Sequence, residues 1–360
     1  MNEDFLKQRL RKFREKLIEK NLDAFLITNP VNCRYVSGFS GSTVNLLIGL
    51  QEAFLITDFR YAQQAEEEAP LFTLISRGPI LSSLEELCKD YPFKNIAFEQ
   101  NYMTVYGFQS LKRSLSKVNL ISLYGIVEEL RIVKDSQEIS LIRKAAQITE
   151  ESFKKILPFI KAGIKEREVS IELEYILKKE GGEKTAFDFI AASGKRSSMP
   201  HGAASSKVIE PGDLLTLDFG ITYQGYCSDM TRTVAVGFAG EREKDLYLLV
   251  LQAQKEALLN IRSGMTGETA DYFARKLIVD QGLGSNFGHG LGHGLGLEVH
   301  EEPRLAPGVK AFLKPNTVVT VEPGVYLPGF GGVRIEDMVL ITDDGCELLT
   351  QKYKEELLIL

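Results

Sequence analysis

The sequence contains no tryptophan, and only four histidines and four cysteines occur among its 360 residues. No apolar run approaches the roughly 20 residues of a membrane span, and residues 1–13 contain no apolar signal core. The net charge of -6 gives no indication of nucleic-acid binding. We therefore expect a cytoplasmic protein with neither a membrane nor a nucleic acid as partner. No cysteine pair is spaced C-x-x-C, so free buried thiols rather than a disulfide framework are expected at Cys33, Cys88, Cys227 and Cys346.

Several catalytic motifs are missing as well. There is no G-x-S-x-G elbow and no cysteine beside a plausible base, so a hydrolase with a covalent nucleophile is not supported. The absence of H-E-x-x-H argues against a helical histidine pair that binds zinc, and the absence of G-x-G-x-x-G argues against a dinucleotide-binding loop. Any chemistry must therefore come from another arrangement of side chains.

The chain is long enough for two domains. Short apolar runs alternate with helical patterns in its first part, beginning with an amphipathic helix over residues 4–20, and this alternation is typical of an α/β domain. We predict that this domain spans residues 1–125 and that a second domain spans residues 126–360. Long helices separated by β-rich runs are predicted in the second domain, at roughly 135–160, 166–180, 241–262 and 267–281.

An internal repeat links two distant segments. Residues 211–220 read PGDLLTLDFG and residues 315–324 read PNTVVTVEPG, and both fit a turn followed by a short strand. Alternation along the strand places Asp218 on the face opposite to Leu217, and Glu322 repeats that arrangement. The repeat predicts a duplicated substructure in which each half ends a buried strand with a carboxylate.

Each half also has a second acidic residue further along the chain. Asp229 lies eleven residues after the first acid of its half, and Glu336 lies fourteen residues after the first acid of the other. Gly225 and Gly331–Gly332 are able to turn the chain between the acids, so each half is predicted to form a β-hairpin. Two facing hairpins would bring four carboxylates together.

Four carboxylates gathered without cations would repel one another and lose hydration. The alternative is that each acid lies at its own strand end and faces solvent, but the recurrence of the acids behind aliphatic runs favours a bound cation pair. Carboxylates with one imidazole suit Mn²⁺, Co²⁺ or Zn²⁺, and Mn²⁺ fits the oxygen donors well. Two ions bridged by carboxylates lie ~3.5–4 Å apart and can share a hydroxide nucleophile.

Three of the histidines lie in one glycine-rich segment. Residues 287–303 read FGHGLGHGLGLEVHEEP and contain His289, His293 and His300. The alternate glycines exclude a helix, because each costs a helix roughly 0.8–1.0 kcal/mol relative to alanine; they let the backbone pass close to another group and turn freely. One of these histidines is expected to bind metal and the others to handle protons or substrate, and the spacing does not assign these roles. The fourth histidine, His201, lies in the loop SSMPHGAASS.

Taken in order, the motifs resemble those of a known family. SMPHG, LLTLDFG, GYCSDMTRT, HGLGHGLGLEVHEEP, VVTVEPGVY and GGVRIED, over residues 198–337, are similar to the pita-bread-fold metallopeptidases, and in particular to their Xaa-Pro branch of prolidase and aminopeptidase P. NPVNCRYVSGFSGS and ITDFRYAQQAEEE are similar to the creatinase-like N-terminal domain. The resemblance covers nearly the whole chain. It implies an α/β N-terminal domain and an α+β pita-bread catalytic domain with an internal pseudo-twofold repeat.

The resemblance also implies two divalent ions per subunit, most simply Mn²⁺. Asp229 and Glu336 would bridge both ions, and Asp218 would chelate one of them. Strand alternation alone leaves Glu336 and Asp337 as alternatives, and the family motif selects Glu336. The implied ligand set is Asp218, Asp229, His293, Glu322 and Glu336.

Further residues are implied to act on the substrate. His201 and His300 would line the pocket, hydrogen-bond the peptide and stabilise the transition state, while His289 would support the site nearby. Glu322 would also carry a proton to the leaving nitrogen.

Three more positions have roles with open alternatives. Tyr326 and Arg334 occupy motif positions in the substrate pocket or behind the ligands; Tyr326 fits core packing nearly as well, and Arg334 fits neutralisation of the acids. Arg304 is a candidate for binding the C-terminal carboxylate of a dipeptide, and a solvated loop arginine is the alternative.

The activity implied is metal-assisted hydrolysis of the bond between an N-terminal residue and a following proline in small peptides. A Xaa-Pro dipeptidase is expected, and a Xaa-Pro aminopeptidase acting on longer peptides is the alternative. A creatinase-type amidinohydrolase and a metal-free peptide-binding paralogue are more remote, since all five ligand positions are filled. Methionine aminopeptidase normally lacks the N-terminal domain, which contributes to a homodimer in the family and is expected to do so here.

Overall fold

The computed structural model describes residues 2–360. The chain divides into two compact units, Met1–Arg131 and Ile132–Leu360. The expected domain limits, 1–125 and 126–360, stay predictions. All four cysteines are free thiols. Among the helices of residues 2–360, none has both the length and the apolar composition that crossing a membrane requires.

The first unit is built around one mixed sheet. Its strands are β1 Ala24–Ile27, β2 Asn45–Gly49, β3 Ala53–Ile56, β4 Thr73–Ile75, β5 Asn95–Glu99 and β6 Asn119–Leu123. They are ordered β4-β3-β2-β1-β5-β6. The helices of this unit are α1 Glu3–Glu19, α2 Pro30–Ser37, α3 Ala62–Glu68, α4 Ile80–Asp90, α5 Val105–Ser114 and α6 Ile126–Arg131.

Both faces of this sheet are covered by helices. Phe25 of β1 packs edge-on against Phe13 of α1, with 5.5 Å between ring centroids. Ala24 and Leu26 point to the opposite face, where they share a buried cluster with Leu84 of α4. Strands buried on two faces are apolar throughout rather than alternating, which explains the continuous run AFLI in both β1 and β3. The predicted α/β architecture of this part of the chain is confirmed.

The second unit contains the four long helices expected from the sequence, α7 Ser136–Ile156, α8 Glu166–Lys179, α9 Glu241–Asn260 and α10 Gly267–Asp280. Its first strands are β7 Lys184–Thr185, β8 Ile190–Ser193, β9 Leu214–Phe219, β10 Ile221–Tyr223, β11 Tyr226–Cys227 and β12 Met230–Ala235. The later strands are β13 Gly292–Gly294, β14 Glu301–Leu305, β15 Val318–Val321, β16 Gly324–Leu327, β17 Gly331–Arg334, β18 Asp337–Ile341 and β19 Cys346–Leu348. The sheets are ordered β11-β10-β7, β12-β9-β8, β14-β13-β15-β18-β19 and β16-β17.

The two halves of this unit repeat one packing arrangement. Leu217 of β9 lies in a buried cluster with side chains of α7 and α8, and Val321 of β15 lies in a second cluster with side chains of α9 and α10. Each fully buried aliphatic side chain of this size contributes ~1.5–3 kcal/mol. Because side chains alternate along a strand, Asp218 and Glu322 leave the sheets on the face away from the helices. The predicted α+β architecture of this part of the chain and its internal repeat are present.

The strand pairing is more elaborate than one hairpin in each half. β9 pairs with β12, and β15 pairs with β18, with Thr231 opposite Asp218 and Val321 opposite Asp337. A shorter hairpin lies between the strands of each pair, β10–β11 in the first half and β16–β17 in the second. The acids therefore lie at the ends of outer strand pairs and not at the tips of hairpins.

One predicted turn is correct and the other is wrong. Gly225 has φ +86° and turns the chain between β10 and β11. Gly331–Gly332 lies inside β17, and the turn before it is made by Gly329, with φ +82°. A Cβ atom on Gly332 would overlap the carbonyl oxygen of Ser197, so glycine is needed there for close packing.

Candidate metal centre

The acids implied as ligands lie at matching ends of the two outer strand pairs. Asp218 belongs to β9 and Asp229 immediately precedes β12, while Glu322 follows β15 and Glu336 immediately precedes β18. One carboxylate oxygen of Asp229, one of Glu336 and a ring nitrogen of His293 all lie within 4.8 Å of one another. The duplicated halves thus place acids from both repeats in one cluster.

His293 lies in a short strand within the glycine-rich segment. It is the middle residue of β13, which lies between β14 and β15 in the five-stranded sheet. A Cβ atom on Gly292 would overlap the carbonyl oxygen of Thr320, and one on Gly294 would overlap that of Glu302. No glycine of the segment has a positive φ, so the expected free turning is wrong and the close approach of neighbouring strands explains the composition.

Gly292→Ala is expected to destabilise the fold and weaken metal binding, because the new methyl group would force β13 away from β15. Overpacking of this kind costs typically ~1–3 kcal/mol. Gly288→Ala is the matched control in the same segment, since, apart from Gly288 and its two chain neighbours, no atom of residues 2–360 lies within 4 Å of a Cβ atom placed there. Urea unfolding and metal titration of both variants test the difference; equal losses in the two variants would refute this explanation.

The His293 ring presents a lone pair to the carboxylates. Its Nδ1 lies 3.0 Å from the Gly294 carbonyl oxygen, which can only accept, so Nδ1 carries the proton. Nε2 then has a free lone pair, and it lies 3.3 Å from Oε1 of Glu322 and 3.7 Å from Oδ2 of Asp229. Burial lowers the pKa of His293 and favours this neutral form. A lone pair facing two carboxylate oxygens calls for a cation between them.

Burial and mutual repulsion disfavour ionisation of the clustered carboxylates. Burial and the neighbouring carboxylates, Glu336 first, raise the pKa of Asp229 well above its ordinary value. Burial likewise raises the pKa of Glu336 well above its ordinary value, with Glu322 adding to the shift. Burial is also the main cause that raises the pKa of Glu322 to about 7. Divalent cations would remove this penalty by stabilising the ionised carboxylates.

Two buried carboxylate oxygens of the cluster are available to bind a metal ion. Among residues 2–360, neither Oδ1 of Asp218 nor Oδ1 of Asp229 has a hydrogen-bond partner, although buried polar atoms are nearly always paired. Together with the His293 lone pair, these oxygens form an N,O donor set suited to Mn²⁺, Co²⁺ or Zn²⁺. The residues therefore fit a divalent metal centre.

Arg334, Tyr326 and His289 form a hydrogen-bonded chain behind the carboxylates. Arg334 Nη2 donates to Oδ2 of Asp218 at 2.6 Å, and Nη1 donates to the Tyr326 hydroxyl at 2.8 Å. The hydroxyl lies 2.9 Å from Nε2 of His289, whose Nδ1 lies 2.8 Å from the Gly290 carbonyl oxygen. That carbonyl fixes the proton on Nδ1, so the Tyr326 hydroxyl donates to Nε2. All three side chains are thus engaged with one another.

His289 is expected to make the fold sensitive to acid. Burial lowers its pKa from 6.5 to about 4, and the nearby charges of Arg334, Arg275 and His201 act in the same direction. The folded protein binds this proton less tightly than the unfolded chain, so stability is lost as the pH falls from about 6.5 toward about 4, by a total on the order of 3 kcal/mol. His289→Gln should lack this component. Urea unfolding of both proteins from about pH 7 to about pH 4.5 tests it; stability curves that stay parallel would contradict it.

His201, His300 and Arg304 present their side chains to solvent near the cluster. The rings of His300 and His293 are in edge contact, with 4.4 Å between centroids. Burial lowers the pKa of His300, and the charges of His293 and Arg304 add to that shift. Arg304 lies opposite His293 in the β13–β14 pairing, so the two side chains leave the sheet on the same face. The exposed groups offer polar contacts beside the carboxylate cluster.

Two threonines that were not among the predicted site residues hold two of the predicted ligands in place. The Thr231 hydroxyl donates to Oε2 of Glu336 at 2.7 Å and accepts from Nε of Arg334 at 3.1 Å. The Thr320 hydroxyl donates to Oε1 of Glu322 and accepts from the backbone N–H of His293, both at 3.1 Å. The sequence offered a reason to consider each threonine: Thr231 lies two residues after Asp229, and Thr320 is part of the internal repeat.

Comparison with known proteins agrees with this geometry. A model of metallopeptidase family M24 matches residues 140–343, and a model of the Creatinase/Prolidase N-terminal domain matches residues 9–133. The chain belongs to metallopeptidase family M24. The predicted family, its pita-bread fold and the enzyme class, a peptidase, are confirmed.

Several M24 relatives match the chain over its whole length. The structure of a Xaa-Pro dipeptidase from Bacillus anthracis is 42% identical, with a TM-score of 0.96 over 99% of this chain and 100% of that one. An X-Pro aminopeptidase from Thermotoga maritima is 39% identical, with a TM-score of 0.91 over 98% of this chain and 99% of that one. By sequence, the Xaa-Pro dipeptidase of Pyrococcus furiosus is 39% identical, covering 97% of this chain and 99% of that protein.

Proposed function

We propose that this M24 peptidase hydrolyses the peptide bond between an N-terminal residue and a following proline, and that dipeptides are its main substrates. The observation that carries the proposal is the buried cluster of Asp229, Glu336 and the neutral His293, flanked by Asp218 and Glu322. Similarity to Xaa-Pro dipeptidases of 39–42% identity supports the substrate class. A homodimer in the cytoplasm is part of the proposal, and a monomeric mass in solution would contradict the dimer.

The five side chains would hold two divalent ions, which we propose to be Mn²⁺. Bound at the cluster, the ions would supply a Lewis acid for the scissile carbonyl and would lower the pKa of water. Glu322 is the candidate for moving a proton to the leaving nitrogen, because it is partly exposed whereas Glu336 is buried. His201 and His300, whose side chains are exposed, would donate hydrogen bonds to the peptide.

Arg304 supports the dipeptidase over the aminopeptidase. A dipeptide with proline in second place ends in a carboxylate just beyond the scissile bond, and a guanidinium binds a carboxylate through two parallel hydrogen bonds. Arg304 is exposed and shares a sheet face with His293. The alternative, a Xaa-Pro aminopeptidase, is favoured by one observation, the 39% identity with the Thermotoga maritima X-Pro aminopeptidase.

The proposal is tested by offering the Mn²⁺-loaded protein Ala-Pro, Ala-Pro-Ala, Met-Ala-Ser and creatine. We expect cleavage of Ala-Pro at a higher kcat/KM than Ala-Pro-Ala, and no turnover of the other two. A preference for the tripeptide would support the aminopeptidase. Cleavage of none of the peptides would refute the proposed function.

Arg304→Met is expected to raise KM for Ala-Pro by about 10- to 100-fold, because a hydrogen bond to a charged group contributes roughly 1.5–3 kcal/mol. The KM for Ala-Pro-Ala should change much less, since its carboxylate lies one residue further away. Arg262→Met replaces another exposed arginine and is the control. Steady-state kinetics with both peptides decide the point: an equal effect on the two KM values would exclude carboxylate binding by Arg304.

A further inference from the structure

The loop that carries His201 is tied at its base to one buried carboxylate. Oε1 of Glu166, at the start of α8, accepts from the backbone N–H and the hydroxyl of Ser193, at 2.7 and 2.9 Å. Oε2 accepts from the backbone N–H and the hydroxyl of Ser205, at 3.1 and 2.5 Å. Residues 193 and 205 lie at the two ends of the loop, so the Glu166 side chain links these ends, together with Lys207, whose Nζ donates to the Ser193 hydroxyl at 3.0 Å.

Arg196 strengthens this closure from inside the loop. Its Nε lies 3.1 Å from Oε2 of Glu166, and its Nη2 donates to the Ala203 carbonyl oxygen at 2.7 Å. Although burial alone would raise the pKa of Glu166, the donors from Ser205 and Ser193 and the charge of Arg196 lower it. The carboxylate is therefore ionised and fully used. Such charge-assisted hydrogen bonds are short and geometrically specific.

The tip of the loop is attached to the metal centre. Nη1 of Arg334 donates to the carbonyl oxygen of Pro200 at 3.2 Å, one residue before His201. The backbone N–H of Gly332 also donates to the hydroxyl of Ser197 at 2.9 Å. The His201 side chain itself is exposed, so its position depends on the backbone that carries it. The loop is thus fixed by Glu166 at its base and by Arg334 near its tip.

We propose that Glu166 is a positioning residue for the substrate, which holds the His201 imidazole at the site by closing the loop of residues 193–205. The proposal rests on the proposed function, because it takes His201 as a contact of the peptide. It assigns no contact between Glu166 and substrate or metal.

The test is a double-mutant cycle of Glu166→Gln and His201→Ala on Ala-Pro. The glutamine side chain has one oxygen in place of two, so it accepts from the backbone N–H of Ser193 or of Ser205 but not of both. Its NH₂ group would then face the remaining N–H donor, and the loop should open. Glu166→Gln alone is expected to lower kcat/KM by about 10- to 100-fold, mainly through KM, with bound Mn²⁺ unchanged. In the His201→Ala background the same change should cost less than about threefold. Effects that multiply in the double variant, or a loss of bound Mn²⁺ in Glu166→Gln, would overturn the proposal.

A second readout is independent of catalysis. Hydrogen exchange of residues 194–205 should accelerate in Glu166→Gln and stay at the wild-type rate in Glu150→Gln. Glu150 is the matched control, because it is a buried carboxylate that accepts from the backbone N–H groups of Gln351 and Lys352, away from this loop. If Glu166→Gln does not fold, Ser205→Ala removes one donor and should show a smaller acceleration in the same residues. An unchanged rate of hydrogen exchange in residues 194–205 would overturn the proposal. If the wild-type protein does not cleave Ala-Pro, the proposed function is refuted. The exchange result then still decides whether Glu166 closes the loop.

Discussion

Asp229→Ala is expected to abolish Xaa-Pro hydrolysis and metal binding together. Asp229 lies between the two halves of the cluster, with its carboxylate near His293 Nε2 and Glu336, so its loss would affect both proposed ions. Because bound metal is expected to stabilise the transition state by several kcal/mol, kcat/KM for Ala-Pro should fall at least about a thousandfold. Steady-state kinetics and elemental analysis of the purified variant measure the two losses.

Asp280→Asn is the control for this experiment. Asp280 is an exposed aspartate of α10 paired with Lys276, and surface pairs contribute ~0–1 kcal/mol, so activity and metal content should stay at the wild-type level. Full activity with bound metal in Asp229→Ala would refute the assignment of Asp229 as a ligand. Loss of activity with full metal content would restrict its role to catalysis.

Removing metal from the wild-type protein is expected to lower the melting temperature strongly. A ligand present at about 1,000 times its Kd stabilises the folded state by ~4 kcal/mol, and each kcal/mol shifts the melting temperature of a unit of this size by roughly 2–4 °C. A chelator should therefore lower the transition of the second unit by about 8–16 °C. The metal-free cluster also retains its buried, mutually repelling carboxylates.

Calorimetry with and without chelator, followed by addition of Mn²⁺, measures this effect. Mn²⁺ should restore the transition in the wild-type protein. The Asp229→Ala variant is the control, and its melting temperature should be nearly insensitive to chelator and to Mn²⁺. A wild-type transition that does not move on chelation would contradict a metal centre built from buried carboxylates.

The two repeated halves of the second unit could be predicted from the sequence, because the residue pattern that identifies them is local. Asp218 and Glu322 end matching aliphatic runs, and strand alternation places them on the face opposite to Leu217 and Val321, which lie in the buried clusters. The long helices were predictable for the same reason, since apolar spacing and caps are local; α7, for example, begins with a capping box at Asp135.

The position of the glycine-rich segment depends on non-local contacts. Its composition excluded a helix, but nothing in residues 287–303 identifies the Thr320 and Glu302 carbonyl oxygens as the neighbours that exclude a side chain. The turn of the second inner hairpin was misplaced because glycines occur both in turns and in close packing, and only the fold separates Gly329, which turns the chain, from Gly331–Gly332, which lies inside β17.

The choice between Glu336 and Asp337 shows the same limit. Both are buried, and the sequence alone does not separate them. Asp337 is paired with Arg232 and Lys354 and hydrogen-bonded to Gln254, so its charge is already balanced. Glu336 lies beside Asp229 and His293, which supports the family motif. The Glu166 contacts to the His201 loop were likewise beyond sequence reasoning, because they join residues 27 to 39 positions apart.

We propose that two divalent ions bind between the halves of the second unit. Anomalous diffraction from crystals grown with Mn²⁺ tests it most directly. We predict two peaks within bonding distance of Asp218, Asp229, His293, Glu322 and Glu336, with Asp229 and Glu336 contacting both. Peaks only elsewhere on the protein, or none among these five side chains, would refute the two-ion centre.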